Sequence, residues 1–318
     1  MTVVSIPRYA PLDNMALSFD GSATIAQAKL PASLLPPPEQ ATSAPFSLTF
    51  WMNAQPTLAP PASTEPEAPP AISGPMVVID IRGHHGSLAT WSIGTDLTLG
   101  LAVTGNAVPG LGVNIGPYLS QWVFVASIYT PPQGQDSLGQ VGLVVSNGGP
   151  MPSPVTGQLT QTPSPAPEDR WLTVGNLPYE QFSGTLPDLG PFQGMIAHLR
   201  LWGGALASSD IEAHMYDDPI GPKALLPGPV IGDWRMNEGY GTVAFDYASV
   251  GPSLIPDRYQ PPPGNHMTLG TGDPATEPAW VIADVLTLVQ KSSSAPAVAA
   301  GGPLLPFYSL PRPAAGKA

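Results

Sequence analysis

The feature that most constrains this chain is a repeated alternation of apolar and polar residues with a period of two. Successive side chains in such a segment point to opposite sides, as in a strand with one buried face. Glycine or proline bounds each segment, which favours antiparallel strands joined by turns. The alternating segments are residues 15–28, 46–54, 76–83, 88–103, 121–130, 139–149, 170–176, 192–202 and 230–238. We therefore predict an all-β fold in which two antiparallel sheets bury their apolar faces against each other.

Proline-rich stretches interrupt the alternating segments. The 318 residues include 43 Pro and 34 Gly, but 42% are hydrophobic, which is enough to form a core. Proline is concentrated in residues 56–75, 131–140 and 148–168. Segments restricted by proline lose little entropy when they become ordered. We interpret these three stretches as loop insertions at the rim of the fold.

The ends of the chain differ from its middle. We predict one domain over residues 14–284, an N-terminal arm over 1–13 and a C-terminal arm over 285–318 that is rich in Pro, Ala and Gly. Both arms mix proline with apolar residues, although free tails are usually polar and charged. We expect Phe307, Tyr308 and Leu310 to be buried, against this domain or a neighbouring subunit, in a homo- or hetero-oligomeric assembly.

The charge of the chain excludes some partners. The formal net charge is −12 with only 11% charged residues. An acidic chain repels phosphate backbones and anionic lipid head groups, so we expect no nucleic acid partner. No apolar stretch approaches the ~18 residues of a membrane span, so we expect no membrane insertion. Cysteine is absent, so the sequence gives no redox signal. The start of the chain has no recognisable signal peptide, although the sparsely charged surface suits an extracellular or particle-associated protein.

The stretch from Phe192 to His214 changes character halfway. Its first half alternates like a strand, and its second half has a helical start signal. Ser209 is placed to be the N-cap, with Glu212 three residues later to complete a capping box. We therefore predict one short helix directly after this strand.

The order of the segments resembles the laminin G-like, concanavalin A-like jelly-roll family. The motifs that carry the resemblance are LSFDGSATI, FSLTFWMN, SQWVFVASIY, VGLVVSNG, WLTVGN, FQGMIAHLRLWGGALASSDI, IGDWRMNEGYGTVAFDYAS and EPAWV. It covers about residues 14–284 and implies a two-sheet antiparallel jelly roll with a short helix at its edge. It also implies a binding module for glycans or proteins, and calcium at the rim as an optional ligand.

Most tryptophans lie within these motifs. We expect a core or sheet-packing role for Trp51, Trp122, Trp202 and Trp234. Trp91 lies outside the motifs, and we predict a surface contact with a ligand for it.

Other residues are predicted to be structural. Asn147 and Gly148 suit a tight hairpin turn, in which both positions need a positive φ. Gly194 allows the strand to bend or a neighbouring backbone to approach. Asp20 and Gly21 lie in a motif where a turn is expected.

Catalytic patterns are scarce in the sequence. A retaining glycosidase needs two carboxylates about 5 Å apart, which in a strand means positions i and i+2. Only two such pairs occur: Glu65 with Glu67 in a Pro-rich insertion, and Asp210 with Glu212 in the predicted helix. We therefore predict that the chain is not an enzyme, with a glycosidase as the least favoured alternative.

The sequence also assigns no definite metal site. Adjacent His84 and His85 point opposite ways in an extended chain, which favours a polar turn over a metal site. Carboxylates for calcium are available at Asp13 and Asp188, and also at Asp20 and Asp246 in the motifs. No cofactor is required by the pattern, and calcium is the one that the resemblance allows.

Two function classes follow. The first is a non-catalytic binding or adhesion module that recognises glycan or protein surfaces within a larger assembly. The second is a structural subunit of a fibre, tail or surface particle with no ligand of its own.

Overall fold

A computed structural model describes residues 15–30, 45–58, 71–83, 86–103, 106–131, 139–148, 151–159, 170–177, 188–215, 230–236, 238–239, 241–248 and 264–283. Both predicted arms, and most of the Pro-rich insertions, lie outside these described residues. The bounds of the domain at 14 and 284 therefore stay a prediction. Among the described residues no helix has the length and apolarity needed to cross a membrane.

The described chain contains seventeen strands, one α-helix and two short 3-10 helices. The strands are β1 (Met15–Asp20), β2 (Ala26–Leu30), β3 (Phe46–Ala54), β4 (Met76–Gly83), β5 (Gly86–Ile93), β6 (Thr98–Val103), β7 (Asn106–Asn114), β8 (Val123–Thr130), β9 (Gln140–Ser146), β10 (Val155–Gln158), β11 (Arg170–Val174), β12 (Gly190–Pro191), β13 (Gln193–Trp202), β14 (Val230–Trp234), β15 (Val243–Ala244), β16 (Met267–Leu269) and β17 (Ala279–Ile282). The helix, α1, is Ser208–His214.

The strands form two sheets that pack face to face. Sheet I has the order β10-β9-β8-β3-β13-β1-β17, and β14 also pairs with β13. Sheet II has the order β15-β16-β2-β11-β4-β5-β6-β7, and the two-residue β12 pairs in parallel with β4. All other pairs are antiparallel. The predicted all-β, two-sheet antiparallel jelly roll with a short helix is confirmed as a fold.

The core lies between the sheets and follows from the alternation. On β3, Leu48, Phe50 and Met52 point into the core, whereas Thr49 and Trp51 point to the outer side of sheet I. One cluster of buried apolar side chains fills the space between the sheets. Each large side chain in it contributes about 1.5–3 kcal/mol relative to exposure, which holds the sheets together.

The first and last described strands are neighbours. β1 pairs antiparallel with β17, and Met15 is the register partner of Ile282. The described chain therefore begins and ends at the same place on the edge of sheet I.

Strand β13 is the centre of sheet I. It pairs with β3 along one edge, and with β1 and then β14 along the other. Its register with β3 shifts between Ala197 and Arg200, and His198 at this bulge has a left-handed φ of 50°. The bulge turns the second half of β13 toward β14.

Gly194 lies where β13 approaches β3 most closely. Its φ is 149°, and a Cβ built on it would lie 2.3 Å from the carbonyl oxygen of Asn53. Because no side chain fits at that distance, only glycine allows β13 to pair with β3 in this register.

Helix α1 begins earlier than the sequence predicted. Its N-cap is Ala207 rather than Ser209, and the Asp210 carboxylate accepts a hydrogen bond from the Ala207 N–H at 3.0 Å. Leu206 and Ile211 flank this start and pack together in the cluster on the outer side of sheet I. This hydrophobic staple fixes the start of the helix, so the predicted Ser209 and Glu212 capping box is wrong.

The tight hairpin predicted at Asn147 and Gly148 is also wrong. β9 ends at Ser146 and β10 begins at Val155, with residues 147–154 between them. Gly148 has a φ of 89°, so it provides a left-handed bend within a longer connection. Pro152 and Pro154 follow and have no N–H to donate to a ladder, so β10 begins only at Val155.

We predict that Gly194→Ala destabilises the fold by about 2 kcal/mol or more, because the new Cβ collides with backbone and forces a strained φ. The measurement is urea unfolding followed by tryptophan fluorescence. Gly74→Ala is the matched control, since a Cβ there meets nothing within 4 Å. Equal unfolding midpoints for the two variants would contradict the role of Gly194.

Candidate functional site

The described tryptophans separate into buried and half-exposed ones. The buried set is Trp51, Trp91, Trp122, Trp202 and Trp234. Two others, Trp171 and Trp280, are half buried. Among the described tryptophans, only these two are partly exposed.

Trp91 belongs to the core, so the predicted surface contact is wrong. It lies in register with Ile79 and Leu101, and all three side chains belong to the cluster between the sheets. Ala89 and Ile93 share its parity and are also buried there. The alternation of this strand predicts a buried Trp91, because the apolar residues Ala89 and Ile93 lie on the same side of the strand.

The same parity argument identifies Trp171, which our sequence analysis missed. Leu172 and Val174 point into the core, so Trp171 and Thr173 point to the outer side of sheet II. Trp171 lies in register with Lys29 on β2 and with Arg82 on β4. The strand RWLTV carried this signal in its apolar positions.

The outer side of sheet II is polar around Trp171. We call the following set the polar face: Gln27, Lys29, Asp80, Arg82, Ser87, Thr90, Trp171 and Thr173. Antiparallel register brings these side chains from four neighbouring strands to one side of the sheet. Lys29 is exposed at one side of Trp171, and Ser87 is partly exposed beyond Arg82.

Asp80 organises the centre of the polar face. Its carboxylate accepts a hydrogen bond from Arg82 Nε at 2.7 Å and one from Ser87 Oγ at 2.9 Å. The Thr90 hydroxyl donates to the same carboxylate. Asp80 is 0% exposed, so the pairing with Arg82 compensates a charge that burial would otherwise make costly. The network also fixes the side chains beside Trp171.

Thr173 lies next to this network and is not part of it. It is in register with Gln27 on one side and Asp80 on the other, and it is 1% exposed. Its Oγ1 is buried and has no hydrogen-bond partner. A buried hydroxyl without a partner costs about 1–3 kcal/mol, so Thr173 weakens the unbound fold.

A second polar cluster lies on the outer side of sheet I. The Asp233 carboxylate accepts from Arg200 Nε at 3.2 Å and from Arg235 Nε at 3.1 Å, and all three side chains are buried. The His198 N–H donates to the Arg235 carbonyl at 3.4 Å. Both His198 and Met236 have a left-handed φ. These ion pairs connect the bulge of β13 to the end of β14.

Burial lowers the pKa of His198 to about 3, and the positive charge of Arg200 adds to this effect. The imidazole is therefore neutral in the folded protein at physiological pH, and it does not act as a proton donor there.

Asp246 is a structural residue beside this cluster. Its carboxylate accepts from the backbone N–H groups of Asp233, Ala248 and Asn265 at 2.9–3.1 Å. Burial raises the pKa of Asp246 even though these hydrogen bonds oppose the shift. Burial likewise raises the pKa of Tyr247, whose ring is covered by the Arg235 guanidinium at 4.6 Å.

Among the carboxylates considered for calcium, Asp20 has its hydrogen bonds within a turn. Asp20 Oδ1 accepts from Ser22 N, Ser22 Oγ and Thr24 Oγ1 at 2.6–3.0 Å, and the neighbouring Gly21 has the left-handed φ of 79° that this turn needs. These hydrogen bonds lower the pKa of Asp20.

Asp188 is exposed, and Asp13 lies outside the described residues, as do His84 and His85. No three His, Asp or Glu side chains form a metal-binding group within the part of the chain that the structure describes.

Of the two carboxylate pairs considered for catalysis, the structure describes only one. Glu65 and Glu67 lie outside the described residues. Asp210 is occupied as the cap of α1, and Glu212 is exposed on the helix.

Neither a family model nor a curated protein matches the chain. The solved structures similar to it include a putative carbohydrate binding protein from Bacteroides ovatus (12% identity, 85% of this chain and 60% of that one, TM-score 0.46). They also include the native heptameric SAP-like pentraxin from Limulus polyphemus (12%, 64% and 82%, TM-score 0.39) and domains LG4-5 of the mouse laminin alpha1 chain (11%, 61% and 43%, TM-score 0.37). At such identities the similarity concerns the type of fold, and no ligand carries over from it.

We predict that His198→Asn flattens the dependence of stability on pH. The unfolded chain binds a proton at His198 below about pH 6.5 and the folded chain does so only near pH 3, so the free energy of unfolding falls as the pH drops through this range. Asparagine does not titrate and tolerates the left-handed φ. Urea unfolding from about pH 7.5 down to about pH 5 measures the slope.

Above about pH 7 the slopes of wild type and His198→Asn should agree, which is the internal control. Parallel stability curves down to about pH 5 would mean that His198 is not held neutral by the fold.

Proposed function

We propose that this protein is a non-catalytic module that binds glycan chains on the polar face of sheet II. The observation that carries the proposal is the partly exposed Trp171, set in register between the exposed Lys29 and the buried Arg82 on an otherwise polar side of the sheet. A flat aromatic surrounded by polar side chains can contact the apolar side of a sugar ring while its neighbours bind hydroxyl groups.

The electrostatics of the polar face favour a neutral ligand. Arg82 and Asp80 are buried and compensate each other at 2.7 Å, so the centre of the face carries little net charge. The Asp80 network holds Arg82 and Ser87 in place before a ligand arrives. Less entropy is lost on binding when the contact groups are already ordered.

The module acts without catalysis in this proposal. The carboxylates of Asp80 and Asp233 are paired with arginine side chains. The carboxylate of Asp246 accepts hydrogen bonds from backbone N–H groups. A glycosidase needs one carboxylic acid and one available carboxylate on either side of the bond. No cofactor is part of the proposal, so binding should survive EDTA.

We predict that Trp171→Ala abolishes glycan binding or weakens it by about 10-fold or more, since the aromatic contact dominates such a surface. The measurement is a glycan array followed by calorimetry with the best oligosaccharide, with and without EDTA. Trp280→Ala is the matched control, because Trp280 is also half buried but lies on the edge strand of sheet I.

Equal losses for both variants would point to unfolding rather than to a site. If the protein binds no glycan on the array but binds a defined protein, the proposal of a glycan ligand is wrong and the ligand is a protein surface.

A structural role in an extracellular or particle-associated assembly is the second candidate. It is favoured by Ile282, which is 80% exposed on the edge strand β17. An apolar edge strand without charged residues is a surface to which another segment can add. In this role the arms join subunits, and the polar face has no ligand.

Deleting residues 295–318 tests this second role. If the arm joins subunits, we expect the truncated chain to have a lower mass in solution by light scattering and a lower Tm. A monomeric wild type whose truncation changes neither value would leave the arm as a linker.

A further inference from the structure

Thr173 is the residue of the polar face whose hydrogen bonding is incomplete. Its hydroxyl is buried without a partner, although its neighbour Asp80 accepts bonds from three other side chains. A valine of nearly the same shape would avoid the unmet hydroxyl. The presence of threonine at this position therefore calls for a partner that the unbound protein does not contain.

The position of Thr173 indicates what that partner is. It lies two residues after Trp171 on β11, on the same side of the sheet. Side chains at i and i+2 are about 7 Å apart along a strand, which is within the reach of one sugar ring and its substituents. A ring seated on Trp171 can therefore direct a hydroxyl group at Thr173.

We infer that Thr173 is a specificity-determining residue that binds a hydroxyl group of a neutral saccharide stacked on Trp171. The inference rests on the proposed function and adds the contact that selects the ligand. A saccharide with a hydroxyl at the correct ring position completes the hydrogen bonding of Thr173, and an analogue without it leaves the threonine unpaired.

The burial of Thr173 has a consequence for how the ligand enters. Oγ1 is not exposed in the unbound protein, so a contact with the ligand requires a side chain outside the Asp80 network to move. The resulting hydrogen bond is shielded from water, which strengthens it relative to one at the surface. Binding through Thr173 is thus coupled to a local rearrangement on the polar face.

The test compares Thr173→Val, which removes the hydroxyl at nearly constant shape, with Thr173→Ser, which keeps it. The probes are maltohexaose, cellohexaose, laminarihexaose and mannohexaose, each titrated by calorimetry. We expect Thr173→Val to weaken the best probe about 3- to 10-fold while its Tm equals or exceeds that of the wild type. Thr173→Ser should bind within about 2-fold of the wild type.

The outcomes separate the two levels of the proposal. If the wild type binds neither the four probes nor any glycan on the array, the proposed function fails, and this inference fails with it; if it binds only an array glycan, that glycan replaces the four probes in the comparison. If the wild type binds and Trp171→Ala does not, but Thr173→Val binds as tightly as the wild type, the inference alone is overturned. A Thr173→Val variant with a lowered Tm would show that the hydroxyl is satisfied within the fold, which also overturns it.

Discussion

Strand β13 is the constraint on which the rest of sheet I depends, because it bonds to three strands at once. It can do so only where Gly194 lets its backbone approach that of Asn53 on β3, with room for no more than a hydrogen atom. The bulge at His198 then redirects the same strand so that β14 follows β1 along its other edge. The apolar inner positions of these strands meet sheet II only when all of these pairings are in register, so the core depends on a few backbone contacts.

On both sheets, buried carboxylates are paired with buried guanidinium groups. Each carries buried carboxylate and guanidinium groups on its outer side, Asp80 with Arg82 on sheet II, and Asp233 with Arg200 and Arg235 on sheet I. In a chain with few charged residues, these pairs place a notable share of the charge inside the structure. The outer pair on sheet I ties together the backbone of β13 and β14, whereas that on sheet II lies beside a half-exposed tryptophan. This difference makes sheet II the side on which a ligand is proposed.

The sequence predicts the sheets well and the local details less well, for a physical reason. Alternation reports which side of a strand is buried, so the two-sheet fold and even the fates of Trp91 and Trp171 were contained in it. We misassigned Trp91 because its place outside the family motifs outweighed its parity. The helix start at Ala207 and the long connection after Asn147 depend instead on what Leu206 packs against and on where β10 can begin, and a local pattern does not contain such distant contacts. The Asp80 network likewise needs the register of β4 with β5.

The pairing of Met15 with Ile282 determines how this sandwich responds to force. The two residues are the outer ends of adjacent antiparallel strands, so a pull applied through both of them separates β1 from β17 at the point of attachment. The hydrogen bonds of the pair are then loaded one after another, as in a zipper, instead of all together as in shear. A sandwich held at these two points is therefore loaded first at the pair of β1 with β17. The contacts of β13 with β3 lie deeper in the sheet and are not loaded at that stage.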